Sequence, residues 1–415
     1  MKQIIIIGAG AAGLMAAVSA LSKNANVTLI EKNNDLGKKL RITGKGRCNV
    51  TNYCSNQEFI QNVPTNGKFL FSAINNFSTF DTMNFFEINN VKLKVERGNR
   101  VFPVSDKSLD IINAFKNILK KQNCKILNEK VKDLIAENNV CIGALTESNK
   151  KIFGDATILA TGGLSYPGTG STGDGFKFIK KLGHKIIDPK PSLVPIVSKD
   201  KFCKELQGLS LKNVSIKVID KLKDKIIYED FGELLFTHFG LSGPLVLSAS
   251  SHIKNITPNR FYILIDLKPA LDEVTLNKRL LKDFSKNINK DYINSLNELL
   301  PKKLIPVIIK LSDIPPHTKC NQITKEMREN LVHILKNFKV SIDSFRPIDE
   351  AIITSGGIST KEINSKTMES KIIKSLYFAG EIIDVDAYTG GFNLQIAFST
   401  GYLAGSSAAS NPSAP

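Results

Sequence analysis

Three glycines near the N-terminus, Gly8, Gly10 and Gly13, stand at the GxGxxG spacing. In that pattern the first glycine makes a tight turn, the second admits a pyrophosphate, and the third lets a helix pack on a strand. Ala11 and Ala12 fill the free positions and open a helix whose first amides and dipole favour an anion. Glu31 ends the next apolar run, where a carboxylate accepts hydrogen bonds from ribose hydroxyls, and Lys32 follows it with a positive charge. These residues predict a bound dinucleotide.

Two later segments predict which dinucleotide. Ile158–Gly163 reads as a strand followed by the turn Ala160-Thr161-Gly162, which brings the chain back to the first unit. Leu376–Glu381 reads as a second fingerprint in which Gly380 and Glu381 approach a ribityl chain. Gly391, Phe392, Asn393, Leu394 and Gln395 then enter a helix whose first amides suit negative charge at flavin N1 and C2=O. An extended FAD explains contributions from both ends of the sequence. A second GxGxxG standing directly after an apolar strand, as a separate nicotinamide domain needs, is absent.

The elements that must position these residues follow from periodicity. Residues 2–7 and Asn26–Ile30 read as strands around a helix carrying Leu14, Ala17, Val18 and Leu21. Residues 107–121 read as a helix with Leu109, Ile112, Phe115 and Leu119 on one face, followed by hairpin-like strands near 131–135 and 140–145 and a buried strand at Ala156–Thr161. From 195 to 270 short alternating runs such as Val214–Ile219 and Phe261–Asp266 predict a β-rich insertion, and 271–338 reads as helical. Strand character returns near Ala351–Ile353 and Ser375–Phe378 before a helix over 392–405, and Ser406–Pro415 reads as a disordered tail.

The 415 residues, 42% of them hydrophobic, suffice for two to three domains. Neither a signal peptide nor an apolar stretch of the ~20 residues that span a bilayer is present, so a soluble, cytoplasmic protein without a membrane partner is expected. Six cysteines without a CxxC pair predict reduced thiols and no metal site. The net charge of +17 fits an anionic partner, and equally a Lys- and Asn-rich coding bias.

Longer motifs now come into view: Gly37–Asn52 (GKKLRITGKGRCNVTN), Gly163–Gly175 (GLSYPGTGSTGDG), Thr237–Pro244 (THFGLSGP) and Tyr388–Gln395 (YTGGFNLQ). Together, in this order, they resemble the YhiN-like (BaiN/RdsA-type) family of FAD-dependent oxidoreductases from Ile4 to about Gly405. The resemblance implies an α/β fold in three parts: a discontinuous Rossmann-type FAD domain, an inserted β-barrel-like domain and a small helical domain. On the changes of pattern, the FAD domain takes 1–194 and 359–409, the β-rich insertion 195–270 and 339–358, the helical insertion 271–338, and the tail 410–415. The resemblance also implies reduction of a carbon–carbon double bond conjugated to a carbonyl, with uridine in ribosomal RNA and steroid enones as linked substrates.

Such a reduction needs hydride at the β-carbon, an acid for the α-carbon and donors for the carbonyl. Cys48 is the first candidate acid, because Lys45 and Arg47 precede it, although nearby cations also favour thiolate; the competing reading is a small packed residue beside the flavin. His238, in a turn rich in Gly, Ser and Pro, and Tyr166 are the alternatives, each with a plain packing role as its competitor. Lys38, Lys39, Arg41, Lys45 and Arg47 form an acid-free basic loop, in which Lys39, Arg47, Cys48 and Asn49 are expected at the cofactor. Further basic runs lie at Lys199, Lys201, Lys204, Lys212 and Lys217 and at Lys278, Arg279, Lys282, Lys286, Lys290, Lys302 and Lys303, with few aromatics between them. Three functions fit: an rRNA uridine reductase fed by NAD(P)H or another donor, a small-molecule flavin oxidoreductase (enone reductase or amine oxidase), and an RNA-binding or assembly protein with a structural FAD. None of the motifs encodes an oligomeric state.

Overall fold

Five short apolar runs pair into one parallel sheet. The structure of the protein, a computed structural model, describes residues 1–410. Strands β1 (Gln3–Ile7), β2 (Asn26–Glu31), β3 (Lys125–Asn128), β4 (Ala156–Leu159) and β5 (Leu376–Phe378) lie in the order β5-β4-β1-β2-β3, and each neighbouring pair is parallel. This is the strand order of a Rossmann sheet, with β1 at its centre. Ile4 to Ile7 are all buried because a central parallel strand is covered on both faces, which is why it reads as a continuous apolar run.

Two helices pack together beside this sheet. Helix α1 (Ala11–Ser22) and helix α2 (Phe392–Ser410) approach to backbone contact: a Cβ on Gly401 would lie 2.3 Å from the Ala12 carbonyl oxygen, and one on Gly405 2.3 Å from that of Ala16. Small residues four apart on α2 therefore set the approach, and Ser19 Oγ donates to the Tyr402 carbonyl at 2.7 Å. The disordered tail expected from Ser406 is corrected at its start, since Ser406–Ser410 continue α2 and Ala408 is buried. Residues 411–415 lie outside the described residues.

Contacts divide the chain into two compact units, Met1–Ser192 with the described residues from Ile348 on, and Leu193–Pro347. The stretch 339–358 splits between them. Ile353–Ile358 pairs antiparallel with Ile186–Ser192 in the first unit, whereas Phe338–Ile342 and Ser344–Phe345 belong to the second. The first unit also holds the helix Ser108–Lys121, which buries Ile111, Ile112, Phe115 and Leu119 while Leu109, expected inside, is 41% exposed.

The second unit carries a seven-stranded sheet whose neighbouring strands pair antiparallel, with Phe338–Ile342 at one edge and Ser344–Phe345 at the other. These edge strands are separated by Asp343 alone. One residue can join opposite edges only if the sheet curls until they meet, so the insertion is barrel-like. Helices Glu273–Lys286, Ile305–Ser312 and Lys325–Lys336 share its core through Leu280, Ile308 and Leu331.

Candidate functional site

The turn between β1 and α1 shows what each fingerprint glycine does. Gly8 has φ +98°, and a Cβ there would lie 2.5 Å from the Ala160 carbonyl oxygen. A Cβ on Gly13 would lie 1.8 Å from the Gly8 oxygen, so helix and strand touch there. Gly10 differs: nothing stands within 4 Å of its added Cβ. Gly10 also caps α1 without a side-chain hydrogen bond, and the first turn holds no acid. The helix end therefore offers the amides of Ala11 and Ala12 to open space, as an anion site requires.

Glu31 is buried at the end of β2. One of its oxygens accepts from the Ala9 amide at 2.7 Å, and the other from the Asn33 amide at 2.8 Å and the Asn33 side chain at 2.7 Å. These three bonds fix the carboxylate beside the cradle and leave one acceptor site, on the oxygen bonded to the Ala9 amide, for a hydroxyl donor. Lys32 turns to Thr172 at 2.5 Å and Asp174 at 2.9 Å, which ties β2 to the 163–175 loop.

Lys39 and Glu381, expected separately at the cofactor, bind each other at 2.6 Å across 342 residues of sequence. Ser165 Oγ joins them, accepting from Lys39 at 2.7 Å and donating to Glu381 at 2.8 Å, and the Thr354 amide donates to the same carboxylate at 2.8 Å. Burial pushes the Glu381 carboxyl up, but the Lys39 charge and these hydrogen bonds outweigh it and hold the group below its ordinary range. Thr354 Oγ1 accepts from the Leu164 and Ser165 amides. Sequence reasoning missed Ser165 and Thr354; the available signal was a buried acid of one fingerprint needing a partner for its charge.

Arg47 is corrected from cofactor ligand to loop brace. Its guanidinium reaches Glu96 at 2.5 Å and Asp106 at 2.6 Å and lies 4.1 Å from the centre of the Phe102 ring. Those side chains belong to or follow the hairpin Leu93–Glu96 and Arg100–Pro103, to which Thr51–Asn52 adds a third strand. Gly44, Lys45, Gly46 and Cys48 all have φ between +57° and +86°, so the loop contains two non-glycine residues in a disfavoured conformation. The braced loop ends at Asn49, whose Oδ1 is buried without a hydrogen-bond partner. Thr161 Oγ1, at the end of β4, is in the same state. The hydroxyls of Thr82, Thr157 and Thr237 share that state, and Thr161 Oγ1 lies 2.2 Å from a Cβ built on Gly175.

The three candidate acids have different surroundings. Cys48 is fully buried, and burial pushes its thiol up to about 12 against a smaller opposing hydrogen bond from Thr43. The preceding cations, which would favour thiolate, are not among the causes: desolvation dominates. Tyr166 is half-buried at φ +51°, and burial followed by the Glu350 charge raises its phenol above the ordinary range. His238 lies in the second unit, exposed in a two-residue turn between Lys225–Thr237 and Gly240–Ser242, with its ring edge-on to Phe239 at 5.0 Å.

At the start of α2 the expected contacts divide. Gly390 and Gly391 form the turn, and a Cβ on Gly391 would lie 2.3 Å from the Thr51 carbonyl oxygen. Asn393 closes the 387–393 loop through the Ala387 amide and carbonyl and the Tyr388 carbonyl. Gln395 is corrected from ligand to core residue: fully buried, it accepts from Thr51 Oγ1 at 2.6 Å and donates to Phe77, Ser78 and Ser399. Phe392 is buried against Phe59, and Leu394 packs on the core. Gly380, at φ +78°, packs on Ala12, and its amide donates to Thr400.

Among the described residues no group of His, Cys, Asp or Glu could hold a metal, and no helix is long and apolar enough to cross a membrane. The chain resembles a 3-dehydro-bile acid delta(4,6)-reductase of Clostridium scindens, with 30% identity covering 99% of this chain and 100% of that one. It is also 30% identical to a ribosomal RNA dihydrouridine synthase of Escherichia coli, with 96% of each covered. Among solved structures, a 3-ketosteroid-delta4-(5alpha)-dehydrogenase from Rhodococcus jostii in complex with 4-androstene-3,17-dione shares the fold at a TM-score of 0.52 and 13% identity, covering 99% of this chain and 97% of that one. The family described as HI0933-like protein Rossmann domain matches residues 2–407. The chain therefore belongs to this HI0933-like family of FAD-dependent oxidoreductases.

Proposed function

We propose that this protein uses FAD to reduce a carbon–carbon double bond conjugated to a carbonyl, and that its substrate is a uridine of ribosomal RNA, reduced to dihydrouridine. The observation that carries the reading is chemical convergence: two full-length relatives of equal identity are named for reduction of a steroid-like diene and formation of dihydrouridine. The net charge of +17 favours the polyanionic substrate of the two.

The residues fit the cofactor. Ala11 and Ala12, beside the open space at Gly10, would hold the pyrophosphate, and Glu31 the adenosine ribose. Bound FAD supplies hydride for the β-carbon of the substrate, with NAD(P)H as the proposed source of electrons. Tyr166 holds the proton for the α-carbon: a phenol is protonated at neutral pH, and Tyr166 is half-buried where the Cys48 thiol is sealed. Cys48, sealed from solvent, packs the loop. The exposed His238 imidazole is the second donor to test.

Mass spectrometry of nucleosides from ribosomal RNA of cells with and without the protein tests the substrate. Loss of one dihydrouridine without the protein is the expected result. An unchanged profile, with purified protein that is reoxidised by a steroid enone and by no RNA, overturns it in favour of a small-molecule reductase, the reading that the full-length bile-acid relative supports.

A further inference from the structure

Tyr53 and Phe80 are 47% and 48% exposed, yet their rings meet each other at 5.3 Å and 80°, edge to face. Isolated exposed apolar residues are common; a mutually oriented pair of aromatic rings on open surface is a feature of recognition sites. Tyr53 is tied within the first unit to the turn that opens α2. Asn52, one residue before Tyr53, donates from its side-chain amide to the Gly98 carbonyl at 3.0 Å and the Gly390 carbonyl at 3.1 Å. The Tyr53 amide donates to the Asn99 carbonyl at 2.7 Å. Asn52 thus joins three things: the turn that leads into α2, the tip of the Arg97–Arg100 hairpin, and the segment that presents Tyr53; Phe80 comes from the helix Thr79–Ile88.

The hairpin tip is cationic. Arg97 is exposed, and Arg100 donates from Nε to the Arg97 carbonyl at 2.9 Å. Asp81, next to Phe80, is engaged in capping its own helix through Ser78. Elsewhere four cations of the second unit's basic runs are paired with acids: Lys199 with Asp343, Lys217 with Glu229, Arg279 with Asp283 and Lys286 with Glu298. A half-exposed ring pair also argues against a small ligand as occupant, since a small-molecule site encloses most of its ligand. A polymer needs only a face to stack on and a cation for its backbone.

We infer that Tyr53, Phe80 and the Arg97–Arg100 hairpin tip form a stacking platform for a single-stranded segment of RNA on the first unit. The inference rests on the reading of the substrate as ribosomal RNA. Bases next to the reduced uridine stack on the rings, and Arg97 meets the phosphodiester backbone, so the platform orients the strand while the cradle does the chemistry.

The test measures binding of a Cy5-labelled, uridine-containing single-stranded 12-nucleotide RNA by anisotropy, with FAD-loaded protein at several salt concentrations. Tyr53→Ala/Phe80→Ala should weaken binding about tenfold or more with an unchanged salt slope, because stacking carries no counterions. Arg97→Glu should weaken binding and lower the salt slope by about one, as loss of a phosphate contact does. Tyr53→Phe, which keeps the ring, should bind as wild type, and FAD absorbance reports the fold of every variant. Wild-type affinity in the double alanine variant, or a wild-type protein that does not retain the RNA, overturns the platform. So does a wild-type protein that self-associates in sedimentation and becomes monomeric in the double variant, because the rings would then face a second copy. The nucleoside comparison fails or succeeds separately: dihydrouridine that depends on the protein while the double variant binds RNA normally sinks the platform alone.

Discussion

The N-terminal turns of α1 and α2 are both rich in glycine and both open helices of the same unit, yet they use glycine for opposite purposes. At α1 the space beside Gly10 is open, so glycine makes room for something other than the protein. At α2 the space beside Gly391 is filled by the Thr51 carbonyl, so glycine makes room for the chain itself. The polar side chains follow the same division. Glu31 keeps acceptor capacity beside the first turn, whereas Gln395, behind the second, has its amide engaged on both sides by the protein. A glycine-rich helix start is thus a ligand site only where the volume it frees is left unfilled.

Gly10→Val gives the sharpest break of that comparison and the largest effect. A branched side chain fills the open volume, so the purified protein should be colourless while its circular dichroism stays that of the wild type. Near-stoichiometric FAD in this variant would show that the first turn is not the pyrophosphate site.

The next effect separates an accessible proton from a sealed one. Tyr166→Phe should slow substrate-dependent reoxidation of the reduced flavin about 100-fold, the usual scale for loss of a general acid, with reduction by NAD(P)H unchanged. Because its pKa is raised, the wild-type rate should stay flat through neutral pH and fall only as pH rises beyond the ordinary tyrosine range of about 10. Stopped-flow measurement of the two half-reactions decides it: equal reoxidation rates in Tyr166→Phe would return the role to His238 or Cys48. Cys48→Ala should change reoxidation less than about threefold, since its thiol is buried and holds its proton.

Gln395→Ala sharpens the comparison from the other side. It leaves the Thr51 hydroxyl without its acceptor and takes one donor from the Phe77 and Ser78 carbonyls, which keep Ser399 Oγ and the Thr82 amide, at a cost of roughly 2–3 kcal/mol. Denaturant unfolding should show that loss while FAD per folded molecule stays constant. A loss of FAD without a loss of stability would restore Gln395 as a ligand.

Glu381→Gln should have the smallest effect, about 1–2 kcal/mol, and only at the right pH. The Glu381 carboxyl lies below its ordinary value in the folded chain, so it contributes stability above the unfolded value of about 4.3 and loses it as pH falls through the folded one. Thermal melting should therefore separate wild type from variant at pH 7 and converge in acid. Parallel melting curves at all pH values would mean that the Lys39 pair adds nothing to stability.

The sequence by itself determined the Rossmann unit, because its signals are local. A buried parallel strand must be apolar throughout, and a phosphate turn must place glycines at fixed spacing, so Ile4–Ile7 and Gly8–Gly13 announce both within ten residues. The change to alternating runs after 195 announced the β-rich insertion in the same way. The short three-stranded sheet of Thr51–Asn52, Leu93–Glu96 and Arg100–Pro103 went unread, because strands of two to four residues carry too little periodicity, even with Gly98-Asn99 marking the turn. Tertiary structure alone decided which charges are available. Arg47 looked unpaired because its acids, Glu96 and Asp106, lie about fifty residues away, and Lys39 because Glu381 lies 342 residues away. It decided the state of Cys48 as well, since desolvation depends on the atoms that surround a thiol in space, and the cations that precede it in sequence are not among the causes of its shift.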